Sequence, residues 1–334
     1  MTTGFVNSRV WQLLTLLADG EFHSGEVLAR RLGVSRASVF NALADVGEHN
    51  VVLHRIRGRG YRLARPWQCL EHDEVARWLG DEAAQFDIEI LPQAESSNTL
   101  LLQRAKLNDA SGGAHSGNVV AVELQSAGRG RRGRVWHSGL GTALTFSLLW
   151  RFACGLNALS GLSLVVGVAL VRALNELGAQ GALLKWPNDI MTTQGKLGGI
   201  LLEVHGDMLG PSAVVIGIGL NYSLPPEMVR RIDQPACALD EVCTTMPTRS
   251  RLLAKILKEM ACVLRQYEQG GFALLRKEWE GYHIHQGCQI RLKMPDSKIV
   301  CGIASGVNDS GELCLETSQG VQYFNTGEAG GIAR

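Results

Sequence analysis

The 334-residue sequence has eight cysteines, at 69, 154, 237, 243, 262, 288, 301 and 314, but none is placed for pairing. There is no C-x-x-C pair and no histidine partner at metal-ligand spacing, which argues against a disulfide framework or a zinc site and for reduced thiols in a cytosol. Long apolar runs are missing too. The most apolar helical stretch, Gly161 to Leu177, is broken by Gly167, Arg172, Asn175 and Glu176, so it reads as a core helix and not a membrane span. The start of the chain has no signal-peptide pattern, and a cytoplasmic protein is expected. Internal repeats, low-complexity tracts and a convincing Ser-His-Asp or Cys-His set are absent as well.

Charge is nearly balanced overall, at +1, but unevenly spread. Residues 1–65 carry nine arginines, no lysine and five acidic residues, a net of about +4. The remaining 24 basic and 27 acidic residues leave about −3 on the body. Within the basic module, Val10, Leu13, Leu14, Leu16 and Leu17 repeat at helical spacing from Ser8 to Asp19. Ser24 can cap a second helix, Gly25 to Leu32, and Ser35 a third, Arg36 to about Val46, with Gly33 between them. Helix, short turn and helix is the helix-turn-helix pattern, and its second helix would expose Arg36, Ser38 and Asn41 toward base edges or phosphates. A hairpin over residues 51–63, turning at Gly58 and Gly60, adds Arg55, Arg57, Arg59 and Arg62 as a basic wing. The expected reading is a winged-helix DNA-binding domain over 1–65, with Ala64 to Trp67 as linker.

The body centres on the run Gln125 to Trp136, where Arg129, Arg131, Arg132 and Arg134 alternate with Gly128, Gly130 and Gly133. So many glycines suit neither helix nor strand, which predicts a mobile loop whose guanidinium groups grip carboxylate or phosphate. Apolar strands at 118–125 and 142–150 flank it, which marks a folded site and not a disordered tail. Upstream, a strand at Ile88 to Leu91 ends before Pro92, and Ser96, Ser97 and Asn98 open a helix from Leu100 to about Leu107. That position suits capping and equally a polar ligand head. Lys185 to Asp189 closes a strand and turns. Lys196 starts another with Gly198 and Gly199 behind it, and Ala213 to Asn221 carries Gly217 and Gly219 on one face. After a helix at 249–269, short strands at 288–293, 299–304, 313–316 and 321–324 predict a small β-barrel or β-cap.

Taken together and in this order, these motifs resemble biotin protein ligases of the longer bacterial type, which double as biotin operon repressors. The resemblance rests on Gly20 to Glu26, Ser96 to Asn98, Gly128 to Arg134, Lys185 to Asp189, Lys196 to Ile200 and Gly217 to Asn221, and covers nearly the whole chain. It implies a multidomain α+β protein. The expected units are a winged helix at 1–65, a catalytic α/β domain like that of class II aminoacyl-tRNA synthetases at 66–283, and an SH3-like barrel at 284–334. By position, Ser96, Ser97, Asn98, Gln125 and Gly128 to Arg131 would hold biotin. Lys196 would reach its carboxylate, and Gly199 and Gly217 would leave room for its bicyclic ring. Arg129, Arg134, Asn188, Asp189 and Asn221 would serve ATP, and Arg131, Lys196 and Asp189 the chemistry. On DNA, the helix-turn-helix and wing pattern makes Ser35, Arg36, Ser38, Asn41, Arg57 and Arg59 the expected contacts.

The implied reaction joins biotin to AMP, releases pyrophosphate, and passes biotin to a lysine of a biotin carboxyl carrier protein. Mg²⁺ on the phosphates and a ligand-promoted homodimer on operator DNA are implied with it. Ser97 stands where threonine is usual, Val135 and His137 replace the lysine and aromatic often flanking Trp136, and residues 223–237 contain no aromatic to cover an adenine. A lipoate or octanoate ligase, or a biotin sensor without catalysis, is the rival reading. The Gly/Arg loop counts against the first, and Lys196, Arg131 and Asp189 against the second.

Overall fold

The computed structural model describes residues 8–44, 46, 51–107 and 114–331. At its N-terminal end, α1 (Ser8–Leu16), α2 (Gly25–Leu32) and α3 (Arg36–Ala42) precede a hairpin of β1 (Leu53–Ile56) and β2 (Gly60–Leu63). The local signals act as expected. Ser24 Oγ accepts the Val27 N–H, Ser35 Oγ accepts the Ser38 N–H, and Gly33 takes φ 63° to end α2. The third helix stops at Ala42, short of the expected Val46, and Asp45 lies outside the described residues. Arg55 explains part of this ending, because its guanidinium donates to the carbonyls of Leu43 and Ala44. Leu13, Leu17, Leu28, Val39 and Leu43 form a separate small core that also takes in Trp67.

The central body follows through α4 (His72–Leu79), β3 (Asp87–Ala94), α5 (Ser97–Ala105), β4 (Asn118–Gln125) and β5 (Ala143–Phe152). Next come α6 (Leu162–Glu176), β6 (Leu183–Lys185), β7 (Asp189–Met191), β8 (Lys196–Gly206) and β9 (Ser212–Asn221). Two one-turn helices, α7 (Pro226–Val229) and α8 (Leu239–Val242), lead to α9 (Arg249–Gly270) and α10 (Arg276–Tyr282). The seven strands form one sheet in the order β3-β4-β5-β9-β8-β7-β6, parallel only between β3 and β4. Pro92 does not end β3. The strand lies at the sheet edge, where a residue without an N–H costs no ladder bond. The turn after Lys185 also differs from expectation, since Asp189 to Met191 pairs back as β7.

Alternation along β9 sorts the two faces of the sheet. Val214, Ile216, Ile218 and Leu220 point into the main core with α6 and α9, whose apolar residues are almost all buried. Ala213 and Val215 face the other way, under Leu101 and Ala105 of α5. Gly217 and Gly219 continue that second face, and so do their cross-strand partners Ser147, Thr145 and Gly199. Glycines there leave a hollow beside α5.

The C-terminal strands β10 (Gln289–Lys293), β11 (Ile299–Val307), β12 (Leu313–Thr317), β13 (Gly320–Phe324) and β14 (Glu328–Gly331) make an antiparallel sheet in the order β13-β12-β11-β10-β14. The fifth strand was not anticipated from the sequence, because Glu328 to Gly331 lacks β-branched and aromatic residues. Ile290, Leu292, Leu313 and Leu315 join the main core, and Trp186 Nε1 donates to the Gly311 carbonyl at 3.0 Å, so this sheet is seated on the body.

Candidate active site

The hollow is the floor of a cavity of roughly 400 Å³, a volume suited to a small ligand. Ser96, Ser97, Asn98, Gln125, Arg129, Gly130, Arg131, Lys196, Gly199 and Gly217 all line it, together with Arg134, Asn188, Asp189 and Asn221. Gly128 lies outside the lining. A Cβ there would come 2.5 Å from the Trp136 carbonyl, so glycine is needed where the two limbs of the loop touch.

At the apolar end, the entry to α5 is held by side chains from across the sheet. The Ser97 N–H donates to Gln125 Oε1 at 2.8 Å. Ser147 Oγ, fully buried on β5, lies 2.7 Å from Ser97 Oγ and 2.5 Å from Asn98 Oδ1. Asn98 Nδ2 donates to the Leu201 carbonyl (3.2 Å) and to Glu203 Oε2 (3.1 Å), so two acceptors on one side fix the amide orientation. Gly217 is required by this arrangement, since a Cβ on it would sit 2.1 Å from Asn98 Oδ1. Asn98 thus sits directly beside Gly217, which still lines the cavity. Gly219 likewise admits the Trp136 ring, which would lie 2.5 Å from an added Cβ, whereas Gly199 keeps ordinary clearance.

The polar end is defined by cations, three of which have a carboxylate partner. Lys196 Nζ lies 2.7 Å from Asp189 Oδ1, both half-buried. Arg129 pairs with Glu203, and Arg134 with Glu328 of β14. Arg131 differs, because its Nη1 donates to the neutral Asn188 Oδ1 at 2.9 Å. Burial, followed by the charge of Arg132, lowers the Arg131 pKa, while Asp189 and Glu328 oppose the shift. A guanidinium so placed stays charged at any physiological pH and gains by meeting an anion. Asn188 Nδ2 donates to the Ile200 carbonyl, and Asn221 Nδ2 to the carbonyls of Lys196 and Cys237, so both amides brace the start of β8.

The loop itself is more ordered than its glycines suggest. Arg129 and Val135 form a bridge, the Gly130 N–H donates to the Arg134 carbonyl at 2.7 Å, and a tight turn at Arg131–Gly133 carries Arg132 and Gly133 at φ 56° and 74°. Glu203, Ser147, Glu328 and the stretch Arg231 to Gln234, all at or beside the cavity, carried no motif in the sequence. Glycine at 217 and 219 was the one signal that something must lie above that strand.

On the N-terminal module, Ser35 and Ser38 bond to each other at 2.9 Å in the cap of α3. Arg36 and Asn41 are exposed on α3, and Arg57 and Arg59 on the wing, where Arg59 lies 4.2 Å over the Phe22 ring.

The cavity thus brings together a sheet floored by glycine, an arginine loop and a half-buried lysine–aspartate pair, and the family matches that follow place the protein among the protein ligases. Residues 91–221 match the biotin/lipoate A/B protein ligase family, 285–329 the biotin protein ligase C-terminal domain, and 9–62 a helix-turn-helix domain. The chain is 35% identical over 316 residues to the bifunctional ligase/repressor BirA of Salmonella typhimurium, covering 95% of each chain. It is also 31% identical over 254 residues to the biotin–[acetyl-CoA-carboxylase] ligase of Mycobacterium tuberculosis, covering 75% of this chain and 91% of that one. Among solved structures, the biotin protein ligase of Aquifex aeolicus in complex with biotin and ATP is similar with a TM-score of 0.60 and 26% identity, over 73% of this chain and 97% of that one. The chain belongs to the family of bifunctional biotin ligase/repressors.

Proposed function

We propose that the protein activates biotin as biotinyl-5′-AMP, transfers it to a lysine of a biotin carboxyl carrier protein, and represses transcription in response to biotin. The observation that carries this reading is the single cavity in which the α5 entry, the arginine loop and the Lys196–Asp189 pair meet. A carboxylate is a poor acyl donor until its oxygen is made a good leaving group. Bringing it against a triphosphate costs about 4 kcal/mol for each pair of unit charges at ~4 Å and an effective dielectric near 20. Arg129, Arg131 and Lys196 offset that repulsion. In this reading Ser96, Ser97, Asn98 and Gln125 hold the biotin head group, and Arg134, Asn188, Asp189 and Asn221 border the nucleotide. The segment Arg231 to Gln234 stands at the same wall and is assigned to cover the adenine side.

Mg²⁺ is proposed to enter with the triphosphate, held chiefly by phosphate oxygens and water. The described residues contain no cluster of three acidic, histidine or cysteine side chains that would hold it alone, and Asp189, 2.7 Å from Lys196 in the cavity wall, is the carboxylate proposed to border it. Closure of the loop then keeps water from the mixed anhydride until the acceptor lysine arrives. The three functional units are assigned to residues 1–65, 66–283 and 284–334. All eight cysteines are free, which supports a reducing, cytoplasmic location. Ligand-promoted homodimerisation is proposed through β8. Beyond Ile200 its outer edge has no strand partner among the described residues, and Val204 on it is 49% exposed.

ATP–pyrophosphate exchange with biotin, lipoate, octanoate or no acid tests the ligase. Exchange with biotin alone supports it, and exchange with lipoate or octanoate assigns the cavity to a sister ligase. A folded protein that binds biotin without exchange is a sensor. Gel shifts at several salt concentrations, with and without biotin plus ATP, test the repressor, and binding indifferent to both ligands would leave only nonspecific attraction.

A further inference from the structure

We propose that Phe40 reads the 5-methyl group of a thymine in the major groove and is a specificity-determining residue of the DNA-binding module. The inference rests on the repressor reading and adds to it the chemistry of one base contact. In α3, Val39 and Leu43 turn into the small core and are fully buried. Arg36, Ala37, Phe40 and Asn41 of the same helix are exposed, Phe40 at 55%.

A single exposed apolar side chain is ordinary on any surface. What sets Phe40 apart is its company. The Arg55 guanidinium lies 6.0 Å from its ring centroid and is tied to the Leu43 and Ala44 carbonyls at the end of α3. The ring therefore has a fixed cationic backing on one side and an open face on the other. Arg36 lies one turn before it and Asn41 directly after it, both polar and exposed. The local charge is positive, with nine arginines against five acidic residues in 1–65, which complements a polyanion.

On such a helix Arg36 and Asn41 have hydrogen-bonding edges to meet, whereas Phe40 has none. The apolar feature that the major groove of a duplex offers is the thymine C5-methyl, against which phenylalanine packs in direct readout. Stacking on a base would require an unpaired or extruded base, which a helix laid in the groove of intact duplex does not provide.

The test uses the full-length protein with biotin and ATP to select duplexes from a random pool, followed by replacement of each thymine of the selected half-site by deoxyuridine. Wild-type protein should lose about fourfold in affinity at one thymine per half-site, the worth of one methyl group removed from water. Phe40→Ala should bind the thymine and uracil forms equally, with its melting temperature and biotin-dependent pyrophosphate exchange unchanged. Wild-type tolerance of every uracil, or the same discrimination in Phe40→Ala, would overturn the proposal. A change in oligomeric state with discrimination intact would overturn it too, by assigning the ring to a protein interface. If wild-type protein enriches no duplex, the repressor reading itself fails, and that result is known before any variant is made.

Discussion

Arg249 and Glu123 form an ion pair of 2.5 Å in which the two side chains are 1% and 2% exposed. Both also hold the chain that leads out of the DNA-binding module. Arg249 donates to the Gln68 carbonyl, Glu123 accepts the Leu70 N–H, and the Arg249 guanidinium lies 5.8 Å from the Trp67 ring. Trp67 in turn packs edge-on against Trp11 of α1 at 5.5 Å, and its Cβ occupies the space beside Gly141, just beyond the arginine loop. The linker is thus riveted to the catalytic sheet at its second end.

Breaking one half of this pair strands a buried charge. Arg249→Met is expected to cost about 3–5 kcal/mol, and the double variant Arg249→Met/Glu123→Leu to recover most of it. Urea unfolding measures both. Limited proteolysis should find residues 68–70 more readily cleavable in the recovered double variant, since the bonds from Arg249 to the Gln68 carbonyl and from the Leu70 N–H to Glu123 are then gone.

Gly217→Ala tests the hollow beside α5. With a Cβ 2.1 Å from Asn98 Oδ1, the carboxamide must move and its bonds to Ser147 and Glu203 must change. Biotin affinity measured by calorimetry is expected to fall tenfold or more, an order-of-magnitude expectation from a displaced contact group. The double variant Gly217→Ala/Asn98→Ala should regain melting temperature without regaining affinity. Unchanged affinity in Gly217→Ala would remove Asn98 from the biotin site.

Arg131→Gly should exchange pyrophosphate more slowly, with one of three cations gone, and release the adenylate early. Its guanidinium spans from the loop to Asn188, and without it the loop loses that tie to the turn before β7. Biotinylation of bystander lysines, scored on serum albumin mixed with the carrier domain, is expected to rise. Labelling confined to the carrier would count against a retaining role for the loop.

Two histidines beside α10 make stability depend on pH. Burial pushes His283 down to about 4, and burial together with the charge of Lys185 does the same to His285. His283 stacks on Trp279 at 4.6 Å, and its Nε2 is a buried atom with no hydrogen-bond partner. The unfolded chain binds protons near 6.5 that the native state refuses until about pH 4. Stability from these groups is therefore complete above about 6.5 and falls as pH drops toward 4, by roughly 1.4 kcal/mol per pH unit for each site inside that window. Denaturant titrations of wild type and His283→Phe at pH 7 and 5 should show a shallower pH dependence in the variant.

Much of this arrangement was legible in the linear chain because its causes are local. A serine at an N-cap acts on an N–H three residues on, and a glycine at a helix end or a tight turn acts on its own backbone, so the bounds of α2, the start of α3 and the turn of the wing were readable. The pairing of Gly217 and Gly219 on one face of β9 follows from the two-residue period of any strand. Even the arginine loop was marked by composition alone, although its internal turn and bridge were not.

The partners of the site residues were decided elsewhere. Glu203 stands 105 residues from Asn98 along the chain, yet meets it because β8 lies beside β9 in a register that sets Leu201 opposite Gly217. Glu328 reaches Arg134 only because β14 pairs with β10, on a sheet that is itself seated on the body. Asn98 sits beside Gly217 because α5 packs on that face of the sheet. By itself, the sequence determined the secondary elements, the family motifs and which residue types would gather, since those depend on backbone propensity and on neighbours within a turn. Only the tertiary structure decided which carboxylate neutralises which cation and which side chain fills which hollow, because those contacts depend on sheet register and helix packing, which no local signal carries.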